Sequence, residues 1–223
     1  MEQGFTITLA IVVVTVIVSL ISFNNNKLMG DLIFDPVRVS SQRQFYRFFT
    51  SGFIHADYMH LAFNMISLYF FGGFVEDAFA AIFGLTKGKL LFVIMYVAAL
   101  YVSLLPTYRK HKHNQYYLGL GASGAVSAVI FAGLLIAPAN EVYLYFIPIG
   151  IPGFIFAPLY LAFSAFLERR GQDNINHSAH IWGALFGLAF ILFAGYVLAQ
   201  YPVLENAWIQ VKWWLAQKGI ISL

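Results

Sequence analysis

The fold class predicted by this sequence is all-α: a polytopic membrane bundle of six spanning helices. Three observations predict it. Hydrophobic residues make up 60% of the 223 and charged residues only 10%, a balance far too apolar for a soluble domain of this size. The apolar residues fall in long unbroken runs, whereas strands of a membrane barrel alternate apolar and polar positions. Few polar side chains interrupt those runs, and the backbone of a lipid-immersed segment must then satisfy its own hydrogen bonds, which a helix does internally.

The first run, residues 5–22, lacks the Lys or Arg that precedes the apolar stretch of a secretory signal, and it reads as a retained span. Only four residues precede it, so no soluble regulatory domain is expected before the membrane core. A polar segment over 24–58 follows, containing Asp35-Pro36 and the aromatic-basic stretch Phe45-Tyr46-Arg47-Phe48-Phe49, a mixture suited to partial immersion at the interface. The second and third spans cover 59–83 and 90–105. The fourth, 123–137, is short: about 15 residues at 1.5 Å rise cover roughly 22 Å, so its first residue, Ser123, lies below the membrane surface. Pro148, Pro152 and Pro158 break the fifth span, 143–166, and the sixth covers 179–198. The tail, 205–223, carries Trp208, Trp213 and Trp214 with Lys212 and Lys218, the composition of an interfacial helix. No repeat or second domain is evident, so residues 1–223 form one membrane domain with its core over about 5–200.

Composition also excludes several functions. There is no cysteine, which rules out disulfides and thiolate metal sites. The net charge of +3 is spread over loops and makes no basic patch for nucleic acid.

Chemistry concentrates at the heads of two apolar helices. Gly121-Ala122-Ser123-Gly124 opens the fourth span, and Ala179-His180-Ile181-Trp182-Gly183 opens the sixth. Gly124, Ala128 and Ala132 recur at steps of four, while Gly183 and Gly187 follow His180 at offsets of three and seven. Such small-residue stripes let two membrane helices approach until their backbones nearly touch, bringing Ser123 and His180 within hydrogen-bonding range as nucleophile and general base. On the second span His60 and Asn64, four residues apart with Ser67 continuing the face, supply donors for a tetrahedral oxyanion. The alternative for that pair is an interhelical hydrogen bond to a carbonyl.

In order along the chain, Tyr46-Arg47, His60-x-x-x-Asn64, Gly72-Gly73-x-x-Glu76, Gly121-x-Ser123-Gly124 and Ala179-His180-x-x-Gly183-x-x-x-Gly187 make nearly the whole sequence resemble a rhomboid intramembrane serine protease. The resemblance implies a six-helix bundle around a water-filled cavity. It implies Ser123 as nucleophile and His180 as base and later acid, a dyad without an aspartate. It assigns the oxyanion hole to the Ser123 N–H with His60 and Asn64, and the substrates to locally unwound transmembrane segments of other proteins in the bilayer. No cofactor and no metal are implied, and the implied location is a bacterial inner membrane. Arg47, Glu76, Gly121, Gly124, Gly183 and Gly187 support the site structurally, with Glu76 bonding to loop backbone or to Arg47.

Two positions depart from the family pattern. Many members have Trp-Arg where this chain has Tyr46-Arg47, a mild change at an interface. Many also carry an aromatic four residues after the serine, stacked on the imidazole, where this chain has Ser127. Trp182 or an aromatic from a neighbouring helix could take its place.

The resemblance further implies a cytoplasmic amino terminus, which leaves nine of the 13 Lys and Arg outside, against the positive-inside tendency. His111-Lys112-His113 lies among basic residues that repel a cation. His55, His60, His177 and His180 make an imaginable zinc site without a clustered carboxylate. Asp173 or Asn174 could act as a third triad member, though a dyad needs none. Two other functions compete with proteolysis: an inactive rhomboid-like protein that binds membrane helices, and a histidine-lined transporter using His60, Asn64 and His180.

Overall fold

The computed structural model describes residues 6–144, 147–171 and 175–222. Phe5, with which the first predicted span begins, and Asp173 and Asn174 lie outside the described residues. Among the described residues, six helices build the bundle. They are α1 (Ile7–Phe23), α2 (Tyr58–Phe83), α3 (Leu85–His111), α4 (Ser123–Ile136), α5 (Gly153–Arg170) and α6 (His177–Ala199). By length and composition α2, α3 and α6 can each cross a membrane, while α1 and α4 are apolar but shorter. The tail forms α7 (Val203–Gln217), which is tied to the bundle where Gln210 Nε2 donates to the Ile136 carbonyl at 2.8 Å.

Local chemistry sets the helix starts. Thr6 Oγ1 accepts from Leu9 N at 3.1 Å and Asp57 Oδ1 accepts from His60 N at 2.7 Å, each satisfying a first-turn donor. Helix α3 outruns its predicted 90–105 at both ends because its charges sit on terminal turns. Lys87 reaches across to the Leu198 carbonyl near the end of α6 at 2.9 Å, while Arg109, Lys110 and His111 complement the negative carboxyl end.

The predicted fifth span needs correction. Its first part is no helix: Glu141–Leu144 (β1) pairs antiparallel with Ile147–Pro152 (β2), Val142 opposite Ile151. Proline has no N–H for a helix ladder and restricts the residue before it, so the run holding Pro148 and Pro152 stays extended and α5 starts at Gly153. Pro158 is accommodated inside α5. The other predicted spans are helical.

Helix α4 occupies the centre, buried continuously from Gly124 to Val129 and again from Phe131 to Leu134, with α2, α3, α5, α6 and α7 around it. A helix apolar on all sides is stable only when enclosed. Its closest neighbour is α6. A Cβ on Gly183 would run into the Gly124 carbonyl oxygen, and one on Gly187 into that of Ala128, so these two helices meet backbone to backbone. Large apolar side chains such as Ile17, Phe70, Leu90, Phe163 and Phe193 stay exposed on the outside, as a lipid-facing surface requires.

Two buried charges hold the periphery. Glu76 accepts from Ile7 N at 3.0 Å, Thr8 N at 2.9 Å and Thr8 Oγ1 at 2.9 Å, placing a carboxylate at the positive end of α1. Glu76, expected to bond loop backbone or Arg47, here bonds the first turn of α1. Arg47 instead donates to Gly30 O at 2.9 Å, Ile33 O at 2.7 Å and Gln44 Oε1 at 2.6 Å, folding the first loop onto itself. That loop docks on the segment before α4 through paired Phe34 and Gly119 backbone bonds, each 2.9 Å.

His55, fully buried, links α1 to the same segment. Ser19 Oγ donates to Phe53 O at 2.9 Å, so it receives the His55 Nδ1 proton at 3.0 Å, and His55 Nε2 faces the Ala122 N–H at 3.5 Å. Burial and then the neighbouring His60 push the His55 pKa down to about 3. Because the folded value lies below the unfolded one near 6.5, His55 contributes fully above pH 6.5, and that contribution is lost as pH falls toward 3. Unfolding of the detergent-solubilised protein should accordingly show a loss of up to about 1.4 kcal/mol per pH unit in that window, and His55→Gln should remove this component. At the helix contact, Gly187→Ala should cost about 1–3 kcal/mol by thermal unfolding, since the added methyl meets backbone that cannot rotate away.

Candidate active site

The α4–α6 contact carries two polar side chains to one place. Ser123 is the first residue of α4 and His180 lies in the first turn of α6, and His180 Nε2 is 2.8 Å from Ser123 Oγ. Both are partly buried. Gly124 and Gly183 make this separation attainable, since they sit in contact directly beneath the pair. The serine N–H belongs to the first turn of α4, where backbone donors have no intrahelical acceptor and the helix dipole presents its positive end.

The loop before Ser123 is shaped by Gly121, whose φ of +106° favours glycine. A Cβ there would also stand 2.7 Å from His60 Cε1, so the glycine makes room for the His60 ring. Gly121 N donates to Ser51 O at 2.9 Å and Ala122 N faces His55 Nε2, so the two amides before Ser123 are directed away from the dyad. His60 is thereby brought against the serine loop. Asn64 is buried one turn further along α2, where its Nδ2 donates to His60 O at 3.0 Å within its own helix, leaving the second amide proton for another acceptor. A cavity of about 30 Å³ behind the serine, lined by Ser51, Ser103, Gly121, Ser123 and Asn176, is large enough for water.

Several contacts that position His180 escaped sequence reasoning. Asn176 caps α6, its Oδ1 accepting from Ala179 N at 3.0 Å, while its Nδ2 donates to Thr107 Oγ1 and the Tyr117 hydroxyl, each at 3.0 Å. This fixes the start of α6 against α3 and the third loop; the cap signal, an Asn just before an apolar run, was present in the sequence. Glu168 on α5 accepts from Ser178 N at 3.0 Å and meets Lys110 Nζ at 3.1 Å, tying α5, α6 and α3 together at this end. The Tyr160 hydroxyl, also on α5, lies 3.2 Å from His180 Nδ1. It stands where the missing aromatic raised a question, and Trp182 does not: Trp182 is 47% exposed on the outer surface. No sequence spacing could reveal Tyr160, because it is twenty residues away on a different helix.

Among the remaining expected support residues, Gly187 lies against Ala128 on the α4–α6 seam, whereas Arg47 and Glu76 act at a distance, in the first loop and at the start of α1. His111, expected in a solvated loop, ends α3 with its ring stacked on Tyr117, centroids 3.9 Å apart.

Comparison with known proteins gives a consistent identity. The Rhomboid domain model matches residues 42–197. The chain is 32% identical over 183 residues to "Rhomboid protease GlpG" of Salmonella paratyphi A, covering 82% of this chain and 59% of that protein. It is 30% identical over 172 residues to "RHOMBOID-like protein 12, mitochondrial" of Arabidopsis thaliana, covering 73% and 50%. To "Presenilin-associated rhomboid-like protein, mitochondrial" of Mus musculus it is 28% identical, covering 73% and 45%. The chain thus spans about half the length of these curated relatives. The family model covers most of the chain, from within the first loop to the last turn of α6, and the chain belongs to the rhomboid family of multi-pass membrane proteins.

Proposed function

We propose that this protein is an intramembrane serine endopeptidase that cleaves transmembrane segments of other membrane proteins through Ser123 and His180. The observation that carries the reading is the 2.8 Å contact between His180 Nε2 and Ser123 Oγ at the heads of two helices in backbone contact. His180 takes the hydroxyl proton as Oγ attacks the scissile carbonyl, and a tetrahedral oxyanion forms. The Ser123 N–H, with the positive end of α4 behind it, and the side chains of His60 and Asn64 receive that charge. Collapse breaks the C–N bond, and the imidazolium returns its proton to the leaving amine. Water then attacks the acyl-serine, giving its proton to His180, and the imidazolium restores Ser123. The cavity beside Ser123 is a reservoir for that water within an otherwise apolar bundle.

A peptide bond inside an intact helix is shielded from attack, so substrates with helix-destabilising residues are favoured. Residues 1–223 work as a single membrane domain, α7 lying at the interface and the amino terminus in the cytoplasm. A bacterial inner membrane is its proposed location; the relatives include a Salmonella protein and two named as mitochondrial.

Cleavage of a single-span substrate by purified protein in lipid tests the reading. Ser123→Ala and His180→Ala should each lower the rate at least about a thousandfold with folding retained. Full activity in either variant, or none in the folded wild type against several substrates, would favour a helix-binding role without proteolysis. Asn64→Ala should lower kcat about ten- to a thousandfold with little change in KM, as loss of a transition-state donor does. A comparable rise in KM alone would remove it from the oxyanion hole.

A further inference from the structure

A dyad without an aspartate leaves open what holds the second nitrogen of its histidine. For His180 Nε2 to accept the Ser123 proton its lone pair must face Oγ, so the ring proton belongs on Nδ1. A proton on Nε2 instead would point at the serine and the base would be absent. The selection depends on what Nδ1 meets, and 3.2 Å away stands the Tyr160 hydroxyl.

A phenol can either donate or accept here, and donation would force the wrong tautomer. It accepts from Nδ1 only when its own proton has another destination. Two buried hydroxyls lie within hydrogen-bonding reach of the phenol and can receive that proton: Ser127 on α4 and Ser164, a turn beyond Tyr160 on α5. The ring is held by Phe131 of α4, centroids 5.6 Å apart, and by Phe156 of α5 at 5.7 Å. Ser127 is the position four residues after the nucleophile where an aromatic was expected. Its small side chain leaves that space to a phenol arriving from α5 and supplies it with a hydrogen-bond partner.

We propose that Tyr160 is the positioning residue of the dyad, accepting the His180 Nδ1 proton and passing its own hydroxyl proton to Ser127 or Ser164, so that His180 is kept in the base-competent tautomer and ring orientation. This rests on the reading of Ser123 and His180 as nucleophile and base. Tyr160 never touches substrate. It does the work of orientation that a triad assigns to a carboxylate, without bringing a buried charge into the bundle. Because the phenol is carried on α5 while the imidazole is on α6, a sideways displacement of α5 withdraws the brace from the base.

The test is the second-order rate of fluorophosphonate labelling, with kcat and KM on a single-span substrate, for the full chain in lipid. Ser123→Ala should abolish labelling; if it does not, the dyad reading itself fails. With that control in place, Tyr160→Phe, which keeps the ring and deletes the oxygen, should slow labelling and kcat about ten- to a hundredfold with KM and Tm nearly unchanged. In ¹⁵N spectra of histidine-labelled protein, with the signal assigned by its loss in His180→Ala, the wild type should show Nδ1 protonated and Tyr160→Phe a mixture of tautomers. If Tyr160→Phe lowers Tm, the double variant Ser127→Ala with Ser164→Ala keeps the ring and should produce the same tautomer mixture. Wild-type labelling in a folded Tyr160→Phe, or an Nε2-protonated His180 in the wild type, would overturn the proposal.

Discussion

The backbone contact between α4 and α6 is the constraint on which the rest of the structure depends. Gly183 against Gly124 and Gly187 against Ala128 leave no room for a methyl group, so the helix separation is set by main chain. In lipid no hydrophobic force drives helices together, and close packing of small residues supplies the attraction instead. The same approach fixes the distance between Ser123, next to Gly124, and His180, one turn before Gly183. Stability and site geometry are therefore one property here.

Around this seam, buried polar groups act as anchors rather than as reactants. Glu76 ends α1 on α2, Arg47 closes the first loop on its own carbonyls, and His55 joins α1 to the amide next to Ser123. Each satisfies donors or acceptors that could not otherwise remain away from water, so each has few alternative arrangements. The result is a serine loop whose two leading amides are committed elsewhere, with the Ser123 N–H next in line at the positive end of the helix.

Helix α5 is the exception to this rigidity. Only Gly153 and Ser164 of its residues are buried, and it follows a strand pair instead of a helical turn. Yet it presents Glu168 to the start of α6 and Tyr160 to the imidazole. The least enclosed helix of the bundle thus reaches the most sensitive atom of the site, which couples the position of α5 to the state of His180.

The sequence by itself determined the membrane class, the order of the spans, the start of α4 at Ser123 and the pairing of α4 with α6, because these follow from hydrophobic run length and small-residue spacing. The small residues also indicated that Ser123 and His180 would meet. Local pattern could not separate helix from strand over 143–144 and 147–152, where prolines decide by denying the backbone a donor. Nor could it identify the partners of Glu76, Arg47 and His180, since Ile7 and Thr8, Gly30 and Ile33, and Tyr160 share no periodicity with them. Those were decided by the tertiary structure, which brings remote segments together and leaves each buried polar atom only the partners within its reach.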